Sequence, residues 1–309
     1  MEIVYASDEA FKANEYVATV GFFDGVHAGH RFLIEELKNI AKVQQRKSVI
    51  FTFSEHPRKV LHSDFQPALI TTLEEKLFRL GTTGVDACVV LDFTEEMSKL
   101  SAYEFLSTLL FNQYQVKTLL VGHDHRFGHN RAEGFADYKK YGQEIGMEVI
   151  QAQRYSTPEF THVSSSEIRQ ALQHGDILKA NKLLTYVYSF EGEVIDGFKV
   201  GRKIGFPTAN LKPLTAEKLM PGAGVYAVTI KWKGALLKGM MNIGFRPTLD
   251  NGSNVSFEIN IFDFDKDIYN EQLEVSFVRK IRDEQKFDGI EALIEQLNLD
   301  KQTVLGMFA

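Results

Sequence analysis

Up to about Leu184, short apolar runs alternate with segments whose apolar residues recur every three or four positions. The runs YVATVGFF, SVIFTF, DACVVLDF, KTLLVG and MEVIQAQ are continuous, as strands buried on both faces of a parallel sheet are. Between them HRFLIEELKNIAKVQQ, LEEKLFRL, SAYEFLSTLLFNQY and GFADYKKYGQEIG carry apolar residues at helical spacing. Strand, helix, strand, repeated, predicts an α/β fold with a Rossmann-like parallel sheet and helices on its faces. Such sheets bind ligands at the carboxyl ends of their strands. The segment SSSEIRQALQHGDILKANKLL predicts two helices split near Gly175 that close this half. From about Thr185 the rhythm changes. YSFEGEVIDGF, GVYAVTIKW, ALLKGMMNIGF, NVSFEINIF and LEVSFVRKI follow one another with turn signals and no long helical pattern between them. Consecutive strands without crossover helices predict an antiparallel sheet closed into a small β-barrel. The tail FDGIEALIEQLNLDKQTVLGMF predicts one or two terminal helices.

The chain has 309 residues, too many for one comfortable core, and the change of rhythm divides it into domains at 1–184 and 185–309. A formal net charge of −6 argues against a general nucleic-acid binder. No run of about 18 apolar residues exists, so no transmembrane helix is expected. The start, MEIVYASDEAF, has no basic region followed by a long apolar segment, so no signal peptide is expected. The one cysteine, Cys88, excludes an internal disulfide and fits a reducing, cytoplasmic setting. Lying within DACVVLDF, it reads as core filler rather than as a nucleophile. These features point to small-molecule partners, with neither nucleic acid nor membrane among them.

The candidate chemistry begins in VATVGFFDGVHAGH, Val17 to His30. Val17 to Phe23 reads as a strand, and a helix starts near Ala28 or Gly29. The free N–H groups of a helix start, with the positive end of its dipole, form an anion site. Gly25 and Gly29 permit tight turning and close approach of a phosphate. His27 and His30 share a face if both lie in the first turn. They can donate hydrogen bonds to charge developing on phosphorus-bound oxygens, where losing one donor typically costs about 10²–10³ in rate. The pair could also bind a metal with further ligands, or be solvated helix-start residues. Its place after a buried strand, between glycines, favours the phosphate site.

Three other segments reach the same sheet edge. VGHDHRFGHNRAEG follows the strand KTLLVG and offers Asp124, Arg126, Gly128 and Arg131. HVSSSEIR offers Ser164, Ser165 and Ser166 at a helix start, with Arg169 a turn further on. Ser164 and Glu167 also match a capping box, and a capped helix start beside an arginine can cradle a phosphate. TFSEHPRKVL brings His56 and Arg58 to this edge, or is a plain loop.

In the second half GRKIGFPTANL combines Gly201, Arg202, Lys203 and Gly205 with Pro207-Thr208-Ala209-Asn210. It is not a Walker loop. It is either a surface loop with a proline turn or a basic glycine-rich loop lying over a triphosphate. In the latter case Thr208 and Asn210 supply neutral oxygens suited to Mg²⁺ shared with nucleotide phosphates. GAGVYA, Gly222 to Ala227, matches a dinucleotide fingerprint only formally, because a strand rather than a helix follows it. In NVSFEINIF, Val255, Phe257, Ile259 and Ile261 lie on one face and Ser256, Glu258 and Asn260 on the other. Glu258 is either a solvated strand acid or a base. All nine histidines lie at or before His174, so a base in the second half would be a carboxylate.

His27-Ala28-Gly29-His30 after the first long strand, with Ser164-Ser165-Ser166 and Arg169 near the sheet's end, resembles the HxGH nucleotidyltransferase superfamily. GFFDGVHAGH, GHDHRFG and VSSSEIR are similar to the adenylyltransferase half of the prokaryotic bifunctional riboflavin kinase/FAD synthetase family. GRKIGFPTANL, GVYAV, NIGFRPT and FEINIFDFDKDIYNEQLEVSFVRKIRDEQKF stand in the order typical of its kinase half. The resemblance implies phosphorylation of riboflavin to FMN by ATP and Mg²⁺, then adenylylation of FMN to FAD with release of pyrophosphate. It assigns His27 and His30 to catalysis of adenylyl transfer. Gly21, Phe23, Asp24, Gly25, Gly29, Asp124, Arg126, Ser164, Ser165 and Arg169 fall to that nucleotide site. In the kinase half Gly201, Lys203 and Gly205 fall to nucleotide, Thr208 and Asn210 to Mg²⁺, Glu258 to activation of the ribityl 5′-hydroxyl, and Arg282 and Glu284 to flavin. The chain departs from the usual family pattern at Ala28, Glu55 and His125. A chain with one active half, or a flavin- or nucleotide-sensing module without turnover, are the alternatives.

Overall fold

A computed structural model describes residues 1–5, 14–56, 59, 68–123, 125–129, 132–159, 162–197, 201, 204–246 and 254–308. It falls into two compact units, Met1–Ser165 and Ser166–Ala309.

The first unit is a six-stranded parallel sheet flanked by helices. In chain order its elements are β1 (Glu2–Tyr5), β2 (Tyr16–Val20), α1 (Ala28–Val43), β3 (Lys47–Phe53), α2 (Leu73–Gly81), β4 (Ala87–Leu91), α3 (Glu95–Lys99) and α4 (Ala102–Glu104). The last runs into a π-helix, Phe105–Gln113, followed by β5 (Val116–Val121), α5 (Phe135–Ile145) and β6 (Glu148–Gln151). The strand order is β1-β4-β3-β2-β5-β6. The strands from β2 to β6 feed two cores. Val49, Phe51 and Phe53 of β3 enter a cluster with Leu110 and Tyr138 on one face. Ile50 enters another with Ile34 and Leu37 of α1 and Leu80 of α2. Double burial explains the unbroken apolar runs. Cys88 lies in the second cluster, and burial pushes its thiol up to about 12. Capping fixes where helices begin: Thr72 accepts from Glu75 N–H while the Glu75 side chain accepts from Thr72 N–H, a capping box opening α2. After β4 the chain crosses to the far side of β2 to form β5. That reversal opens a crevice beyond the carboxyl ends of β2 and β5.

The second unit begins one residue into α6 (Ser165–Gln173) and continues with α7 (Ile177–Leu184), β7 (Ser189–Ile195), β8 (Ala209–Pro213), β9 (Gly224–Trp232), β10 (Ala235–Arg246), β11 (Asn254–Ile261), β12 (Gln272–Arg282) and α8 (Ile290–Met307). Its six strands close an antiparallel barrel in the order β10-β11-β8-β7-β12-β9. The helix pair α6–α7, expected to close the first half, packs on this barrel. Gly222 N–H donates to Leu172 O at 3.0 Å, and Asn181 joins Phe277 O to Tyr188 N–H. The apolar face of α7, with Ile177, Ala180, Leu183 and Leu184, is buried. One face of β9 and β10, with Val225, Ala227 and Met240, packs on Val304 of α8 and is therefore the outer face. On the other face of β9, Tyr226 meets Phe277 of β12 edge to face, and Phe277 stacks on Phe190 of β7. No described helix is long and apolar enough to cross a membrane.

Candidate functional site

The first candidate site lies beyond β2. The strand ends at Val20, three residues earlier than its apolar run suggests. Phe23, Gly25 and Val26 then adopt positive φ angles of 56°, 81° and 39°. The left-handed region is strained for bulky and β-branched residues. Burial of both apolar side chains holds them there, Phe23 and Val26 being part of the core beneath α1. Gly21 makes room for the Phe23 ring, which its own Cβ would strike. Asp24 is not directed at solvent. Its buried carboxylate accepts from Ile70 N–H, Thr71 N–H and Thr71 Oγ1 at 3.0–3.2 Å, and Thr71 Oγ1 in turn accepts from Gly25 N–H. This network clamps the loop to the segment entering α2.

So held, the loop delivers His27 as the N-cap of α1, 5% exposed. Its Nδ1 accepts from His30 N–H at 3.3 Å. In the neutral ring that leaves the proton on Nε2, a hydrogen-bond donor. The His27 and His30 rings stack with centroids 3.6 Å apart, and Phe23 meets His30 edge to face. Burial, then the charges of His27, His125 and Lys76, hold His30 well below the usual histidine range. His30 is thus uncharged at neutral pH, and its buried Nδ1 has no partner among the described residues. Gly29 leaves space beside the His27 ring and Val163 O. Ser165 Oγ donates to Asp24 O at 2.9 Å, so the serine segment reaches the loop.

The other sheet-edge candidates are placed as follows. His125, in the loop after β5, faces His30 closely enough to lower its basicity. Gly128, at φ 90°, lies against Ala102 and admits no side chain, and Phe127 stacks on Tyr138, so this loop is docked. Arg126 is exposed. His56 sits at the end of β3, edge to face with Phe22 at 4.7 Å. Arg169 and Glu167 lie on α6, where Glu167 pairs with Lys179 at 2.9 Å; Ser164 is half-buried just before it. Asp124, Lys203, Arg58, Arg131 and Arg202 lie outside the described residues.

The second candidate site is built on β8 and β11. Their register sets Asn210 directly opposite Glu258, joining residues 48 positions apart in sequence. Gly201 lies against Phe206 O and Thr208 Oγ1 with no room for a Cβ, and Phe206 N–H donates to Gly201 O at 2.9 Å. Gly197 packs as closely on the Asn210 amide, whereas Gly205, at φ 81°, is open. Two cavities flank β11. One, about 380 Å³, is lined by Ile259 and Ile261 with Val194, Phe264 and Tyr269. The other, about 280 Å³, takes Glu258 and Asn260 from the opposite face of the strand, with Phe206, Met240, Phe287 and Leu297. Thr208 lines both. The sequence pattern leaves Asn260 facing solvent. In the fold α8 covers that face, and Asn260, 7% exposed, donates its amide to Pro207 O at 2.7 Å.

Glu284 reaches the second cavity over the bare Cα of Gly244. Arg282 lines it as well, but its guanidinium is engaged elsewhere: Nε and Nη2 pair with Asp300 at 2.8–3.0 Å and Nη1 donates to Asp283 O. Among the described residues no cluster of three His, Cys, Asp or Glu is placed to hold a metal. Thr208 and Glu258 offer oxygens to the second cavity, with Asn210 opposite Glu258 on β8; Asn242 and Glu284 also line that cavity, and Asp265 and Asp267 the first.

Comparison with known proteins adds the following. Residues 10–167 match the family model described as FAD synthetase, and residues 184–308 that described as riboflavin kinase. The chain is 36% identical to the bifunctional riboflavin kinase/FMN adenylyltransferase of Listeria monocytogenes, over 98% of this chain and 95% of the relative. Its identity to the proteins of that name from Escherichia coli K12 and Bacillus subtilis is also 36%, over 94% and 95% of this chain and 92% of each relative. A solved structure described as a macrolide-efflux protein from Streptococcus pneumoniae superposes with a TM-score of 0.87 at 31% identity, over 98% of this chain and 99% of that one.

Proposed function

The chain belongs to the bifunctional riboflavin kinase/FMN adenylyltransferase family, and from that premise we propose that its two units carry successive steps of flavin cofactor biosynthesis. The barrel unit phosphorylates riboflavin to FMN with ATP. The sheet unit joins FMN to the adenylyl group of a second ATP, giving FAD and pyrophosphate. The division of labour falls near residue 184, where the riboflavin kinase match begins.

The observation that carries the kinase reading is Thr208, shared by two cavities on opposite faces of β11. A phosphoryl donor in one and an alcohol in the other would meet at that residue, as direct transfer requires. The apolar and aromatic wall of Phe206, Met240, Phe287 and Leu297 suits an isoalloxazine ring. The carboxylate of Glu258 takes the proton of the ribityl 5′-hydroxyl as its oxygen attacks the γ-phosphorus and ADP leaves. Thr208 and Asn210 offer hard oxygens without a carboxylate cage, a donor set that fits Mg²⁺ arriving with its nucleotide. When bound, that ion neutralises phosphate charge.

For adenylyl transfer the phosphate of FMN is already a nucleophile, so no strong base is needed. Nε2–H of His27, the uncharged His30 and the N–H groups opening α1 supply donors for charge at the α-phosphate. The FMN oxygen bonds to the α-phosphorus and the bond to pyrophosphate breaks. The lone buried thiol of Cys88 fits a cytoplasmic setting.

Incubation with riboflavin, ATP and Mg²⁺, followed by chromatography, tests the assignment: FMN should appear first and FAD after it. His27→Ala should lower FAD formation at least about 100-fold while FMN formation persists. Glu258→Gln should abolish FMN formation and spare FAD formation from supplied FMN. Equal loss of both activities in either folded variant would overturn the division.

A further inference from the structure

Lysine is almost never fully buried unless paired, yet Lys76 of α2 is 2% exposed behind the histidine loop. Its Nζ donates to Phe53 O, the last carbonyl of β3, at 2.8 Å. It also sits 4.1 Å from the centroid of the Phe22 ring, in the loop leaving β2. One side chain therefore grips the ends of two adjacent strands at the edge where phosphate is expected. Asp24 faces it, and Asp24 is itself held by the Ile70 and Thr71 donors. The remaining titratable neighbours are neutral: Cys88 on β4, with its thiol at about 12, and His30 on α1, itself flanked by His27 and His125. His56 meets the same Phe22 ring on its edge.

We propose that Lys76 is a positioning residue of the adenylyl-transfer site, placing a fixed positive charge behind the histidine loop while tying the ends of β2 and β3 together. The inference rests on the adenylyltransferase reading of this unit. Its physical content is that the ammonium is incompletely compensated until substrate arrives. Burial lowers its pKa to about 8 despite Asp24. Polyphosphate binding over the start of α1 brings the missing negative charge. Above pH about 8 the free enzyme loses this charge and should bind ATP for adenylylation less well. The loss is not unfolding. An unfolded lysine keeps its proton to about 10.4, so between the two values the unfolded chain binds more protons and the folded state gains stability as pH rises.

The test is the pH profile of kcat/KM for FAD formation from FMN and ATP, which reports free-enzyme groups, with thermal melting measured on the same samples. Wild type should fall above pH about 8 without losing thermal stability, whereas Lys76→Met should be lower by about 10-fold at pH 7 and show no such limb. Lys76→Arg should recover most of the rate and keep it at pH 9. A folded Lys76→Met protein with the wild-type rate and profile would overturn the proposal. So would a wild-type profile flat across pH 7–9.5, or one in which Lys76→Met lowers melting and rate while the limb stays. Should Lys76→Met fail to fold, the wild-type and Lys76→Arg profiles decide. A wild type that forms no FAD at any pH would overturn the adenylyltransferase reading itself, and the proposal with it.

Discussion

Asn260 shows how much one amide can set. Its hydrogen bond to Pro207 O fixes the turn that carries Thr208, and its side chain shares a strand face with Glu258. Asn260→Ala leaves that carbonyl without its donor, at a cost of about 1–3 kcal/mol, and frees the turn. FMN formation should lose about 10-fold or more in kcat, with a smaller change in KM for riboflavin, because misplacement by about 1 Å costs on the order of 10²-fold at worst. FAD formation from supplied FMN should be unchanged. Steady-state kinetics of the two half-reactions check this, and equal decline of both would sink it. Neither Asn260 nor Lys76 was legible as a site residue, for the same reason. Period-two and period-3.6 patterns assign a polar residue to solvent, and here α8 and the loop after β2 cover the faces concerned. His27 and His30 stand out as candidates because glycines and the end of a buried strand surround them, Thr208 and Asn210 because they follow a basic glycine-rich loop, and Glu258 only because its half lacks histidine and the family resemblance points to a strand glutamate.

At the scale of elements, α8 is one wall of the Glu258 cavity, through Leu293 and Leu297. Asp300 of that helix, 4% exposed, receives Arg282 of β12 and Gln296 Nε2 at 2.8 Å. This hub fixes the wall, so under the proposed flavin site Arg282 would bear on the ligand through α8. Removing one partner of a buried pair leaves an uncompensated charge and costs about 3–5 kcal/mol. Asp300→Asn should therefore lower the melting temperature of the barrel unit. In protein that remains folded it should raise KM for riboflavin several-fold and leave KM for ATP nearly unchanged. A rise in KM for ATP alone would contradict the assignment. Strand and helix order was readable from apolar periodicity, but two strands were not. In β1 only Val4 is buried, so its four residues carry no pattern. β8 hides between Pro207 and Pro213, the latter tolerated because it closes the strand. The π-helix at Phe105–Gln113 is likewise silent, since Phe105, Leu106, Leu109, Leu110 and Phe111 fit either helical pitch.

For the whole molecule, the decisive feature is that two phosphate chemistries are built from unlike parts. On the proposed assignment one would use imidazoles and a helix start above a parallel sheet, and the other a carboxylate, a hydroxyl and an amide on a barrel. FMN leaves the second as product and enters the first as nucleophile, so nothing in the chemistry requires that one chain do both. His27→Ala retains the kinase residues and Glu258→Gln retains the histidine loop. Mixed in equal amounts with riboflavin, ATP and Mg²⁺, the two variants should restore FAD formation that neither supports alone. FAD should appear after a lag set by the build-up of free FMN, and added FMN should abolish the lag. A time course by chromatography reads both. If FMN accumulates in the mixture and no FAD follows, the sheet unit does not accept FMN from solution, and the independence of the two steps fails.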